Sequence, residues 1–274
     1  MILFLYSNRA YEYQAISCIR SLEPRIPKDM KIVYFTIGFI SNVSAKNLIK
    51  IPIPERNYPS FHYYKAELSL EIMDMFPNET HFFFTDTDVL FSSKVNFDKL
   101  IHDHTYPLGV VGPHEYPYIW ENINNKMVTY NETVLMNYLN VPHRTINYQM
   151  SCFYVFNKNS YEFFEEYTSI CKNQYLLKRR KHYFPFQDET AFNVCLWKRE
   201  ATQTLGRVFV NTHLFETVKL VEENRITSTR LGTNIDLLGA DWEYVENSDN
   251  VILYHGFKEE ITTQKTLNYL LTKQ

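Results

Sequence analysis

The segment His81-Phe82-Phe83-Phe84-Thr85-Asp86-Thr87-Asp88-Val89-Leu90-Phe91 constrains the chain more than any other. An apolar run of this length reads as a buried strand, and two carboxylates follow it directly, two residues apart. In sheets flanked by helices, ligands gather outside the carboxyl ends of the strands. Two neighbouring acids repel each other unless a cation or a donor neutralises them. Hard oxygen ligands at this spacing suit Mg²⁺ or Mn²⁺, which can bridge to a diphosphate. The plainer reading is a solvated turn or helix cap after a strand. The hydrophobic run before Asp86 and its place after two earlier strands favour the site.

Those earlier strands set the fold class. Residues 2–6 read as a buried strand, 11–22 as a helix and 31–39 as a second strand. A Pro-rich connection (Pro52, Pro54, Pro59) leads to a helical stretch over 60–76, and 81–85 is then the third strand. This strand–helix rhythm predicts a mostly parallel sheet with helices on its faces. A short apolar run covers 108–111 and a polar, aromatic stretch 113–147. A strand over 148–156, helices near 161–175 and 189–198, and short strands at 208–211 and 251–254 complete the reading. No linker or internal repeat interrupts it, so one domain over 1–274 is expected.

Composition narrows the function. The 274 residues are 45% hydrophobic, enough for a full core and incompatible with disorder. A net charge of −3 gives no global basic field, so nucleic acid is not an expected partner. With 7 glycines and no glycine-rich fingerprint, a phosphate cradle of the P-loop kind is not expected. Cys18, Cys152, Cys171 and Cys195 form no C-x-x-C pair and read as reduced, buried hydrophobes. No apolar stretch approaches the roughly 18 residues of a membrane span. Residues 2–6 are too short for a signal sequence, so a cytoplasmic protein is expected.

A second acidic motif stands in Phe186-Gln187-Asp188-Glu189-Thr190-Ala191-Phe192-Asn193. Asp188 and Glu189 would open a helix, where the dipole favours carboxylates on its own account. The functional reading sets a carboxylate opposite the metal site, facing the anomeric carbon of a sugar.

With both motifs in this order, the chain resembles metal-dependent glycosyltransferases of the GT-A fold. It is similar in particular to family 6, the retaining α-1,3-galactosyl- and N-acetylgalactosaminyltransferases that include the blood-group A/B enzymes. The resemblance implies a Rossmann-like, mixed and mostly parallel sheet flanked by helices. It implies a nucleotide-binding half over 1–112 and an acceptor and catalytic half over 113–274. It places a base-stacking tyrosine on Tyr11, and Tyr58-Pro59 leads to a basic Lys65 near the donor. The metal-binding pair falls on Asp86 and Asp88, with Asp86 also reaching the ribose. Asp188 would hold donor-sugar hydroxyls, and Glu189 would be the nucleophile or electrostatic stabiliser. Gln187 replaces a His that helps choose the sugar, and Met150-Ser151 stands where the family has a Gly-Gly pair. His114, in Gly112-Pro113-His114-Glu115-Tyr116, is close to an acceptor-binding segment.

The C-terminal Ile252-Leu253-Tyr254-His255-Gly256-Phe257-Lys258 resembles instead the H-x-x-G-x-x-K ending of family 8 enzymes such as glycogenin, shortened. There the His completes the metal shell and the Lys meets the diphosphate, which points to His255 and Lys258. The implied cofactor is Mn²⁺ or Mg²⁺, and the implied partners are a nucleotide-sugar donor, UDP-linked, and a glycan acceptor. Lys178-Arg179-Arg180-Lys181-His182 reads as a solvated basic loop, or as a site for an acidic acceptor or the donor diphosphate. Tyr116, Tyr118, Trp120 and Trp242 could stack on sugars, although most aromatics in such a chain are core. Two other functions compete. A haloacid-dehalogenase-like phosphatase would use Asp86 as nucleophile, but Leu90 stands where Thr or Val is wanted. A non-catalytic glycan-binding module would have no need of a metal–diphosphate site.

Overall fold

The computed structural model describes residues 1–58, 60–91, 95–110, 135–146, 149–173, 188–205, 209–210, 253–255, 267–268 and 271. A mixed six-stranded sheet has the order β3-β2-β1-β4-β7-β6. Its strands are β1 (Ile2–Ser7), β2 (Lys31–Ile37), β3 (Leu48–Ile53), β4 (His81–Thr85), β6 (Leu108–Val110) and β7 (Met150–Asn157). Strands β1 and β4 pair in parallel, as do β2 and β3, whereas β7 runs antiparallel to both β4 and β6. The central strands β1, β4 and β7 are largely apolar runs because they are covered on both faces; every residue of β1 and of β7 is buried.

The chain divides into two compact units. The first comprises Met1–Phe4, Pro54–Thr85 and Leu100–Leu205. It holds the start of β1, strands β4, β6 and β7, and helices α2 (Tyr64–Met75), α3 (Tyr161–Lys172) and α4 (Asp188–Lys198). On α3 the buried Phe163, Phe164, Tyr167, Ile170 and Cys171 recur at helical spacing and form its inward stripe. Aromatic rings join sheet to helices: Phe84 stacks on Tyr154 at 4.8 Å, Tyr154 on Phe192 at 5.1 Å, and Phe156 meets Phe164 at 4.6 Å. Offset and edge contacts of this kind add to area burial, and these rings are core.

The second unit comprises Leu5–Ile53, Asp86–Lys99 and Gly206–Gln274. It holds the rest of β1, helix α1 (Glu12–Leu22), strands β2 and β3, and a three-stranded sheet. That sheet has the order β5-β9-β8, with β5 (Val89–Phe91), β8 (Phe209–Val210) and β9 (Leu253–His255). Gly38 ends β2 at φ 73°, a left-handed conformation that suits glycine, and its N–H donates to Ile53 O at 3.0 Å.

The structure corrects the reading of Pro52 as part of a Pro-rich connection: it lies in β3 (Leu48–Ile53). There it stands opposite Thr36. An edge strand needs only one side of its backbone paired, so a proline is tolerated there. The Asp86-x-Asp88 turn therefore follows the fourth strand in chain order, not the third. Helix α1 begins at Glu12, because Arg9–Tyr11 is a 3₁₀ turn capped by Asn8, whose Oδ1 accepts from Ala10 N–H at 3.1 Å. All four cysteines are buried, and none is in a disulfide. No helix among the described residues is long and apolar enough to cross a membrane.

Candidate active site

In the first unit the register of β7 locates a charged cluster. Thr85, the last residue of β4, lies opposite Phe153, so Ser151 lies beyond the carboxyl end of β4. Lys65 on α2 and Asp188 at the start of α4 converge on this residue. Lys65 Nζ stands 2.9 Å from Asp188 Oδ2 and donates to Ser151 O at 3.2 Å and Ser151 Oγ at 3.1 Å. Ser151 Oγ donates to Asp188 Oδ2 at 3.2 Å, and the Tyr167 hydroxyl approaches the same oxygen at 3.5 Å. The Lys65 ammonium also lies 5.2 Å from the centre of the Phe84 ring, a cation–π contact. Glu189 joins through the main chain: Ser151 N–H donates to Glu189 Oε2 at 3.1 Å.

Desolvating a lysine and an aspartate is costly, and only close pairing with further hydrogen bonds offsets it. Lys65 and Asp188 are 2% and 4% exposed, and both meet that condition. Their charges are thereby fixed in space. Cys171 is buried nearby. Burial first, and then the Asp188 charge, hold its thiol well above the usual range, so it is no nucleophile.

The approach to Lys65 is anchored by a second group of charges. Arg56 pairs with Glu67 and, at 2.6 Å, with Glu71; Lys172 and the Tyr58 hydroxyl also reach the Glu67 carboxylate. Burial raises the Glu67 pKa, but the bonds from Lys172, Tyr58 and Arg56 outweigh it and hold the carboxyl below the ordinary range. Tyr58, part of the motif leading to Lys65, thus ties residues 54–58 to α2 and α3.

In the second unit Asp86, Thr87 and Asp88 form a half-buried turn before β5. One face of α1 holds it. Gln14, Cys18 and Ser21, spaced by four and three, share that face. Thr87 Oγ1 donates to Gln14 Oε1 at 3.4 Å, the Cys18 thiol lies 3.8 Å from Asp86 O, and Ser21 Oγ accepts from Phe91 N–H at 3.1 Å. Of these, the sequence marks only Cys18, as a buried hydrophobe; Gln14 and Ser21 carry no signal there beyond their spacing. Tyr11, 46% exposed, presents its ring on the turn entering α1.

His255 ends β9, with its backbone opposite Val89, the neighbour of Asp88. Among the described side chains, no group of three or more His, Cys, Asp or Glu is arranged to hold a metal ion. Asp86 and Asp88 supply hard oxygen donors from a single turn. That donor set fits Mg²⁺ or Mn²⁺ with further positions left to a ligand's oxygens. His114, Gln187 and Lys258, with the basic run 178–182 and Tyr116, Tyr118, Trp120 and Trp242, lie outside the described residues.

No family model matches this chain, and no curated protein matches it. Among solved structures it is similar to the galactosyltransferase LgtC, determined in complex with donor and acceptor sugar analogues. The TM-score is 0.54 at 12% identity, over 100% of this chain and 96% of that one. The likeness establishes the fold, an α/β architecture of the GT-A kind.

Proposed function

We propose that this protein is a retaining glycosyltransferase that moves a hexose from a nucleotide diphosphate sugar, UDP-linked, to a glycan hydroxyl. The observation that carries the reading is the buried Lys65–Asp188 pair, bridged by Ser151 to Glu189 beyond the carboxyl end of β4. Replacing such a pair with apolar residues often stabilises a protein, so its presence calls for a purpose other than stability. Hydroxyl-rich ligands need fixed donors and acceptors, and this cluster offers both.

Asp188 would accept hydrogen bonds from donor-sugar hydroxyls, with Lys65 holding its carboxylate in place at 2.9 Å and lending positive charge towards the phosphates. Glu189 would face the anomeric carbon and stabilise or attack its oxocarbenium-like centre, the logic of retaining glycoside chemistry. Tyr11 would stack on the base. Asp86 and Asp88, with His255, would hold Mn²⁺ or Mg²⁺, which when bound supplies Lewis-acid neutralisation of the leaving diphosphate. Lys258 would meet the same diphosphate, and His114 and Gln187 the acceptor.

The test is a panel of UDP-glucose, UDP-galactose and UDP-N-acetylgalactosamine with Mn²⁺, read as UDP release with and without acceptor glycans. Metal-dependent UDP release from one of them is expected. Phosphate released from a phosphomonoester through an aspartyl-phosphate would establish the phosphatase instead. Glycan binding without nucleotide release would establish a binding module.

A further inference from the structure

We propose that the side-chain amide of Asn193 is a positioning group for the Glu189 carboxylate, acting through residues 149–151 where the chain enters β7. The inference rests on the reading of Glu189 as the group that faces the anomeric carbon. Asn193 is fully buried on α4, one turn after Glu189. Its Oδ1 accepts from Gln149 N–H at 2.6 Å, and its Nδ2 donates to Gln149 O at 2.7 Å and to Glu189 O at 2.9 Å. One side chain therefore meets both main-chain groups of Gln149, as a residue of a neighbouring strand does in a hydrogen-bonded pair.

The contacts close into a ring. From the Glu189 carbonyl the path runs through Asn193 to Gln149. Two residues on, Ser151 N–H returns to Glu189 Oε2 at 3.1 Å. Glu189 is thus held at its main chain by Asn193, itself fixed to Gln149, and at the tip of its side chain by Ser151, two residues further on. A glutamate normally samples many rotamers, and fixing both ends removes most of them before any substrate arrives.

Gln149 is braced from its other side. Its Oε1 accepts from Gly109 N–H on β6 at 2.7 Å, and its Nε2 donates to Gln203 O at 3.5 Å. Gly109 leaves no room for a side chain: a Cβ there would stand 2.7 Å from Gln149 Oε1 and 3.3 Å from Gln149 Cβ. A methyl group at Gly109 would therefore displace the Gln149 amide without touching Asn193 or Glu189. An apolar pair could weld α4 to β7 equally well. A relay in which an asparagine must donate twice and accept once fixes direction as well as contact.

The Ser151 amide proton reports the Glu189 carboxylate directly, so amide exchange by NMR tests the ring without any substrate. In Asn193→Ala the Ser151 amide should exchange about tenfold faster, the effect expected when its hydrogen bond is lost. In Gly109→Ala the change should have the same sign and be smaller. Donor turnover per folded molecule should fall about ten- to a hundredfold in Asn193→Ala, with the donor KM unchanged. Asn193→Ser carries the same readouts if the alanine variant does not fold. A Ser151 amide protected as in the parent in both the position-193 and the Gly109 variants would overturn the proposal. So would unchanged turnover per folded molecule. If the parent turns over no donor, the transferase reading falls alone, and the exchange data still decide what places Glu189.

Discussion

Lys65, Ser151 and Asp188 in the first unit are at most 4% exposed and hold one another in a closed set of bonds. Asp86 and Asp88 in the second unit are half-buried, on a turn that α1 grips largely through Thr87 and main-chain atoms. The first arrangement is complete before a ligand arrives: its charges are neutralised internally and its geometry is set by packing. The second places two carboxylates on one half-buried turn, and like charges so close in sequence repel unless a cation or a donor neutralises them. Under the proposed function the contrast would correspond to two tasks, rigid presentation of hydrogen-bonding groups to a sugar and capture of a metal with its diphosphate. Perturbing each should therefore fail in a different way.

The largest effect is expected from the second unit. EDTA should abolish donor turnover and Mn²⁺ should restore it. Asp88→Asn should remove metal-dependent nucleotide binding while leaving the melting temperature nearly unchanged, because the substitution keeps the side-chain shape on a half-buried turn outside the core. Full activity in EDTA would break the comparison by leaving the acidic turn without a metal role. The opposite signature belongs to Lys65. Lys65→Met leaves Asp188 buried without its cation, and breaking such a pair costs about 3–5 kcal/mol. Thermal or urea unfolding should show this loss even with no donor present. A variant as stable as the parent would mean that Asp188 does not depend on Lys65.

Glu189→Gln sharpens the division within the first unit. It keeps shape and hydrogen-bonding capacity and removes the charge that a developing oxocarbenium needs. Loss of one aligned electrostatic group costs about 2.7–4 kcal/mol in the barrier, roughly a hundred- to thousandfold in turnover. Nucleotide binding should survive, since the carboxylates assigned to the metal are untouched. Asp188→Asn should instead raise the donor KM as well as lower turnover. Proton NMR of the product should show the anomeric configuration of the donor. An inverted product would make Glu189 a base that activates the acceptor.

Much of this was legible before the structure, and the omissions have physical causes. Contiguous apolar runs such as residues 2–6 and 81–85 declared buried strands, and the acids after the second run marked its carboxyl end. Strand β3 was obscured by Pro52, which reads as a breaker unless the strand is known to lie at an edge. Strands β5, β8 and β9 are two or three residues long, too short for any periodicity to declare them a separate sheet. Both acidic motifs were visible as residue types at particular spacings. The pairing of Lys65 with Asp188 was not, because it depends on α2 and α4 meeting at Ser151, a tertiary fact. The α1 face of Gln14, Cys18 and Ser21 had the spacing but no chemistry to distinguish it from an ordinary buried stripe.

The smallest expected effect concerns acid and again separates the units, since every described histidine side chain lies in the first. His102 Nε2 lies 2.8 Å from Val155 O, and its Nδ1 accepts from His104 N–H at 3.1 Å. Together these bonds require the neutral ring with its proton on Nε2. The neighbouring charged groups are His81 on β4, Asp103, and His104, whose ring lies 5.2 Å away. Burial depresses the His102 pKa below its ordinary value, with the His104 and His81 rings adding to it; the Val155 bond and Asp103 only partly oppose this. The unfolded chain therefore binds a proton more readily than the folded one, and stability rises with pH across that window. The contribution is fully present above about pH 6.5, the ordinary histidine value. It is lost as the pH falls through the depressed folded value, where a proton on Nδ1 expels the His104 amide. Amide exchange at His104 should accelerate as the pH falls from 7 to 5, after correction for the intrinsic rate, while amides of β2 in the second unit keep their protection. His102→Gln should flatten the acid limb of the stability curve. An equal loss of protection in both units would show that acid acts on the whole chain and not through this histidine.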